Sequence, residues 1–180
     1  MNRFDLIYAG NNNIDFGTLT SYKKIPLPVM FAKSADVFPI GAKITVRTLE
    51  GDVDTIVSKD IYLMIGIVGE VYPIKRDRFR ASYALTNNPP KVDFEYVPEI
   101  INRITGERKE ILQFAKNCVA SSKKIVRATR LKKHTKVFTD WDKDKYFSGE
   151  PSDWLVANDD DHNDCYIVKR DIFGDSYTEL

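Results

Sequence analysis

Two stretches decide how this chain is read: Tyr72-Pro73-Ile74-Lys75-Arg76-Asp77-Arg78-Phe79-Arg80-Ala81-Ser82-Tyr83, and Tyr166-Ile167-Val168-Lys169-Arg170-Asp171-Ile172-Phe173-Gly174-Asp175-Ser176-Tyr177. Seven of the twelve positions are identical, and Ile74/Val168 is a conservative exchange. A repeat of this length sets the architecture before any single element does. In each copy a short extended run, Tyr72 to Lys75 or Tyr166 to Lys169, meets a segment that can form a single helical turn. Phe79 and Tyr83 lie four residues apart, on one side of such a segment. Asp77 is positioned to cap it.

Outward from the signature, both halves read as β-structure. Residues 3–9 suit a short strand, and Gly10 to Asn13 a turn. Lys23 to Ala32 is extended, and Pro26 and Pro28 suit an edge strand. Ile44 to Leu49 alternates and returns through Val53 to Val57, as a hairpin does. Ile61 to Ile65 is an apolar strand that the signature pairs back upon. In the second half, Lys123-Lys124-Ile125 opens as Lys23-Lys24-Ile25 does, and Ile125 to Leu131 is strand-like. Gly149 to Ser152 turns, Trp154 to Ala157 matches Ile61 to Met64, and Asn158 to Asp164 is a polar turn.

Between the halves, Thr86-Asn87-Asn88-Pro89-Pro90 reads as a linker. Ile100, Ile104, Ile111, Phe114, Ala115 and Cys118 then recur at helical spacing, which predicts a helix over 107–118. Gly106 interrupts the pattern, and a hairpin turning at Thr105-Gly106 is the alternative for residues 100–112. The expected fold is mainly β (α+β): two similar small antiparallel β modules joined by a helix-containing connector. The expected boundaries are 1–22 for an N-terminal segment, 23–85 for the first module, 86–120 for the connector and 121–180 for the second module. Tyr72/Tyr166, Phe79/Phe173 and Tyr83/Tyr177 should anchor the two cores.

The 180 residues, 43% hydrophobic and 29% charged, suffice for one ordinary domain or two small ones. A net charge of +1 singles out neither nucleic acid nor membrane as partner. Cys118 and Cys165 do not make a disulfide framework, so a reducing, cytoplasmic setting is expected. No apolar run approaches the ~20 residues of a membrane helix. No cofactor motif is present; Gly66 and Gly69 lack the Lys-Ser/Thr ending of a phosphate loop.

Three places could carry chemistry. The strand alternation puts Tyr72, Ile74, Tyr166 and Val168 inside, with Pro73, Lys75, Ile167 and Lys169 outside. Lys75 and Arg76, and Lys169 and Arg170, then form matched cationic spots for a small anionic ligand. A basic run containing Arg127, Arg130, Lys132, Lys133 and Lys136 has no acid between Glu110 and Asp140. It could track phosphates, with Phe138 or Trp141 stacking on bases. The simpler reading pairs this run with the later acids across a sheet. Asp159, Asp161 and Asp164 are weak candidates for a cation, but the loop lacks the spacing, glycine and closing glutamate of a calcium loop. Histidines are few, and the acids beside Cys165 oppose a thiolate.

Pro151-Ser152-Asp153-Trp154-Leu155-Val156 and Tyr166-Ile167-Val168-Lys169-Arg170-Asp171-Ile172-Phe173 resemble the motifs of small bacteriophage and prophage proteins of PGDYG type. Thr48 to Gly51, Gly69 to Lys75 and Ser82-Tyr83 resemble the same pattern in the first half. The motif glycine is Lys59 and Ser152 here, and the opening proline is displaced to Pro26 or missing. The resemblance implies a phage or prophage origin and no assigned chemistry. The expected function is a non-enzymatic binding protein acting on a host component or a small anionic ligand. The alternatives are a nucleotide-processing enzyme using the carboxylates at Asp159 to Asp164, and a structural or assembly protein of a phage particle.

Overall fold

The computed structural model describes residues 5–10, 14–121, 124–139 and 142–180, the side chains of 139 and 142–145 excepted. Residues 5–85 form β1 (Asp5–Tyr8), a 310 turn (Phe16–Thr18), β2 (Thr20–Lys24), β3 (Pro28–Lys33), α1 (Ser34–Val37), β4 (Lys43–Thr48), β5 (Gly51–Ile56), β6 (Ile61–Ile65), β7 (Val71–Lys75), α2 (Arg76–Ser82) and β8 (Tyr83–Leu85). Residues 99–179 form β9 (Glu99–Asn102), β10 (Arg108–Glu110), a 310 turn (Leu112–Phe114), β11 (Lys116–Ala120), β12 (Ile125–Arg130), β13 (Thr135–Thr139), β14 (Asp142–Gly149), β15 (Trp154–Asn158), β16 (Asp161–Val168), α3 (Arg170–Ser176) and β17 (Tyr177–Glu179). The protein is mainly β, as its alternating and β-branched runs require.

Two compact units result, and they are not the two halves of the chain. The central unit is Pro26–Ser121; the terminal unit joins Met1–Ile25 to Ser122–Leu180. The central unit has a five-stranded sheet ordered β7-β6-β3-β11-β8 and a four-stranded sheet ordered β10-β9-β4-β5. The terminal unit has a five-stranded sheet ordered β16-β15-β12-β2-β17 and a three-stranded sheet ordered β1-β13-β14. The five-stranded sheets correspond strand for strand. Tyr62 pairs with Ile74 where Trp154 pairs with Val168. Cys118 pairs with Val29 where Val126 pairs with Tyr22, and Ala120 with Tyr83 where Lys24 pairs with Tyr177.

This correspondence corrects the expected boundaries. β2 leads into β3 in sequence but lies between β12 and β17, while β11 leads into β12 but lies between β3 and β8. Each copy of the repeat therefore gives its opening arm to the other copy's sheet. The arms match further upstream, since a 310 turn precedes β2 and β11 alike. Residues 99–120 are thus the second copy's arm rather than a connector. A physical reason lies in Ile25-Pro26-Leu27-Pro28. Each proline fixes its own φ and keeps its predecessor extended, so this link resists folding back as a tight β2–β3 hairpin. The similarity of Lys23-Lys24-Ile25 to Lys123-Lys124-Ile125 is local: the first ends β2, while in the second Ile125 begins β12, and Lys123 lies outside the described residues.

The helix expected over 107–118 is instead β10, the 310 turn and β11. The hairpin alternative is the one observed, turning at Gly106 with φ +73°. Ile100, Ile111 and Cys118 are fully buried, but Ile104 stands 76% exposed at the turn, so the helical spacing was coincidental. β3 is a central strand, not an edge strand; Pro28 is tolerated as its first residue. Pro73 does lie on an edge strand, β7.

Each five-stranded sheet is covered on both faces. In the central unit, Ile44, Val46 and Ile100 pack against Leu63, Ile65 and Val71 to form the layer between the sheets. The opposite face packs Phe31, Tyr62 and Met64 under Phe79 and Tyr83. In the terminal unit, Ile7, Phe16, Val137, Leu155 and Ile167 fill the first layer, and Val126, Val156, Phe173 and Tyr177 the second. Ile167 is therefore buried, at 4% exposure, rather than outward as strand alternation alone suggested. The signature holds α2 and α3 over this second layer. Asp77 and Asp171 lie in the first helical turn, favourable to the helix dipole, but neither helix start has a side-chain cap. The shared tyrosines meet in both copies, Tyr72 Oη to Tyr83 Oη at 3.4 Å and Tyr166 Oη to Tyr177 Oη at 3.3 Å.

Candidate functional site

The matched cationic spots are not equivalent. Lys75 is exposed. Lys169 is half-buried, with its ammonium 3.0 Å from Asp153 Oδ2 and 3.4 Å from the Ser148 carbonyl. Asp153 is buried and also accepts the backbone N–H groups of Arg170 and Glu150, so Lys169 closes a structural corner. Arg76 pairs with Asp60 at 3.0 Å, and Arg170 is exposed and lies 3.4 Å from its neighbour Asp171. The symmetry expected for Lys75 and Lys169 fails because an acid precedes Trp154 where Ile61 faces Lys75.

The basic run divides. Arg127 is a clamp: its guanidinium donates to Asp159 and to the carbonyls of Gly17 and Leu19. Arg130 covers the Trp154 ring at 5.2 Å. That ring heads a stack through Phe173 and Tyr177, with Tyr22 of β2 set edge-on. Burial, and next the Glu179 carboxylate, push the Tyr22 hydroxyl above its usual pKa. Lys132 and Lys133 are exposed at the turn before β13, with Lys133 3.7 Å from Asp5.

The acidic stretch is not one turn. Only Asp159-Asp160 turn the chain, and β16 begins at Asp161. Asp159 is held by Arg127, and Asp164 accepts from the buried Asn158 amide. Among the described residues, no group of three or more His, Cys, Asp or Glu side chains is arranged to hold a metal ion. At the corresponding turn of the central unit, the Glu70 carboxylate occupies the space beside Gly66 that a side chain would fill and accepts from the Val68 N–H.

What the structure brings together is a surface the sequence showed only in part. In the β1-β13-β14 sheet, Ile7, Val137 and Thr135 face the core. Alternation turns Leu6 and Tyr8 of β1, Lys136 and Phe138 of β13, and Tyr146 and Ser148 of β14 to the outer face. The register sets Tyr8, Phe138 and Tyr146 in one row and Leu6, Lys136 and Ser148 in the next. Tyr8 stacks on Phe138 with centroids 4.9 Å apart, Phe138 meets Tyr146 at 5.5 Å, and the Lys136 ammonium lies 4.1 Å over the Tyr146 ring. Leu6, Tyr8 and Tyr146 remain 51%, 48% and 41% exposed. Phe138 was legible as a candidate; Trp141 lies outside the described residues. Tyr8 was missed because it joins this face only through the parallel pairing of β1 with β13, some 130 residues away in sequence, and Tyr146 because it joins through the β13–β14 pairing, which the sequence reading did not draw.

The duplicate supplies an internal comparison. The outer face of β10-β9-β4-β5 carries ion pairs: Arg47 with Asp52 at 3.1 Å, Arg103 with Asp54 at 2.9 Å, and Arg108 with Glu99. Arg108 hydrogen-bonds Glu99 and holds that carboxyl below the usual range. The same layer of the fold thus tolerates a solvated, charged face. The aromatic row is a property of the terminal unit's sequence, not a need of the architecture.

Comparison with protein-family models, with curated proteins and with solved structures gives no match. Among the described residues, no helix is long and apolar enough to cross a membrane.

Proposed function

We propose that this is a non-enzymatic binding protein, of phage or prophage origin, that takes its ligand on the outer face of β1-β13-β14. The observation that carries the reading is the exposed Tyr8–Phe138–Tyr146 row, with Lys136 over the Tyr146 ring. Aromatic side chains offer large contact area at little entropic cost, which is why they concentrate at binding surfaces. The phage origin rests on the resemblance of Pro151 to Val156 and of the signature to PGDYG-type proteins. A role in the host cytoplasm, on a host component or an anionic ligand, belongs to the same proposal. The carboxylates that an enzyme would need at Asp159 and Asp164 are engaged by Arg127 and Asn158, which favours binding over catalysis.

The test is a Tyr8→Ser/Tyr146→Ser double variant, checked for an unchanged fold by circular dichroism. Its native partners are then compared with those of the wild type by quantitative co-purification. The proposal predicts loss of the specific partner. An unchanged partner set from the folded variant would place the site elsewhere, with exposed Lys75 next in line.

A further inference from the structure

We infer that the size of one side chain in each arm decides which sheet that arm completes, an inference that rests on the arm exchange and not on the binding face. The two sheets correspond residue by residue. Phe31 pairs with Met64 where Ala128 pairs with Val156, and Cys118 pairs with Val29 where Tyr22 pairs with Val126. Phe31 and Ala128 are thus equivalent, and so are Cys118 and Tyr22. In each sheet the two positions are diagonal neighbours on the face that α2 or α3 covers, within reach of an aromatic ring from either strand. Each pair holds one ring, but from opposite sources. In the central unit it is Phe31 of β3, whose centroid lies 4.3 Å from Phe79 and 5.5 Å from Tyr62. In the terminal unit it is Tyr22 of the exchanged arm, 5.0 Å from Phe173 and 5.4 Å from Trp154. The other position of each pair is small and closed to solvent, Cys118 at 0% and Ala128 at 2% exposure. With the arms kept at home, β2 would set Tyr22 beside Phe31, two rings against one Phe79–Tyr62 pair. β11 would set Cys118 beside Ala128, and Phe173 and Trp154 would face a void. Overpacking and cavities both destabilise, so only the exchanged arrangement fills both sheets. The two slots therefore bind strands of different kinds. The slot between β12 and β17 takes a strand bearing an aromatic ring, and the slot between β3 and β8 takes one bearing a small side chain.

The experiment uses the full chain. Tyr22→Ala and Ala128→Phe, singly and together, are followed by urea unfolding, as are Phe31→Ala and Cys118→Tyr. Each single change should lower the midpoint of its unit by roughly 1 M. Each double variant only moves the ring to the neighbouring strand. It should recover at least about half of the summed loss, a coupling that independently packed side chains would not show. Arm choice is read in a chain carrying a protease site after Asn88, in the exposed stretch 87–89. After cleavage, the fragments of the otherwise unchanged chain should elute together. Tyr22→Cys with Cys118→Tyr gives each arm the other's side chain, and the cleaved fragments should part. Adding Phe31→Ala and Ala128→Phe should bring them back together. If the Tyr22→Cys/Cys118→Tyr chain does not fold even uncut, recovery of a folded chain on adding those two changes supports the inference, and failure to recover overturns it. Additive losses in either unit overturn it, and so do Tyr22→Cys/Cys118→Tyr fragments that stay together at an unchanged midpoint. Parting of the fragments of the otherwise unchanged chain overturns the arm exchange itself, and the inference with it.

Discussion

Phe173→Ala tests the packing and the arm exchange together. Phe173 is 3% exposed. Its ring stacks on Trp154 at 4.0 Å and 11°, on Tyr177 at 4.7 Å and 17°, and meets the edge of Tyr22 at 5.0 Å. Truncating a buried phenylalanine costs about 3–5 kcal/mol. The loss of three ring contacts places this site toward the upper end. With a urea slope of ~2 kcal/mol/M, the midpoint for the terminal unit should fall by about 2 M. That is a large share of an ordinary domain's 5–15 kcal/mol. Hydrogen exchange adds the location. Protection should fall in β17 and β12, and also in β2, which lies some 150 residues from Phe173 in sequence but between those strands in the sheet. β3, only three residues beyond β2, should keep its protection because it belongs to the central unit. A loss below about 1 kcal/mol would refute the packing. Loss of protection in β3 with β2 unaffected would refute the exchange.

Other outcomes follow from single sites. Asp153→Ala strands the Lys169 ammonium and two backbone N–H groups at a buried corner; equilibrium unfolding should show a loss of about 2–4 kcal/mol, discounted for the partial exposure of Lys169. Ser152 has φ +81°, the left-handed region that favours glycine, so Ser152→Gly should stabilise by up to about 1 kcal/mol in the same assay. Glu99 has a depressed carboxyl pKa, so its pairing with Arg108 stabilises above the ordinary carboxylate range, and that contribution is lost as pH falls through the depressed value. Carboxyl NMR titration should show Glu99 moving back up in Arg108→Gln; an unmoved Glu99 would show that the pair does not form in solution.

The sequence revealed local matters well and partnerships poorly. The Tyr72–Tyr83 and Tyr166–Tyr177 signatures predict the strand and the helical segment that both copies show, because their cues lie within twelve residues; the strands that begin at Tyr83 and Tyr177 are not read there, since the spacing places Tyr83 on the helix. The burial of Phe79 and Phe173 was legible for the same reason. The helix over 107–118 was misread because Ile100, Ile111 and Cys118, buried from strands and a turn, happen to fall at helical intervals. Ile167 was misassigned because alternation assumes one wet face, and here both faces of the five-stranded sheet are covered. No periodicity could show that β2 pairs with β12, since the pairing depends on which arm fills which sheet. Ser152 was read as a departure from the motif glycine, yet its backbone retains the conformation glycine favours. The binding face was half visible: Phe138 and the basic run stand in the sequence, but Tyr8 reaches them only through the fold.

The reciprocal exchange of arms is tested most directly by cutting the chain between its copies. A protease site inserted after Asn88, in the exposed stretch 87–89, separates residues 1–88 from 89–180. Each fragment then holds one arm that completes the other's sheet, β2 between β12 and β17 and β11 between β3 and β8. The cleaved protein should elute from a native sizing column as one species of the uncut size, with its two fragments parting only in denaturant. Separation of the fragments under native conditions, each folded by itself, would contradict the exchange.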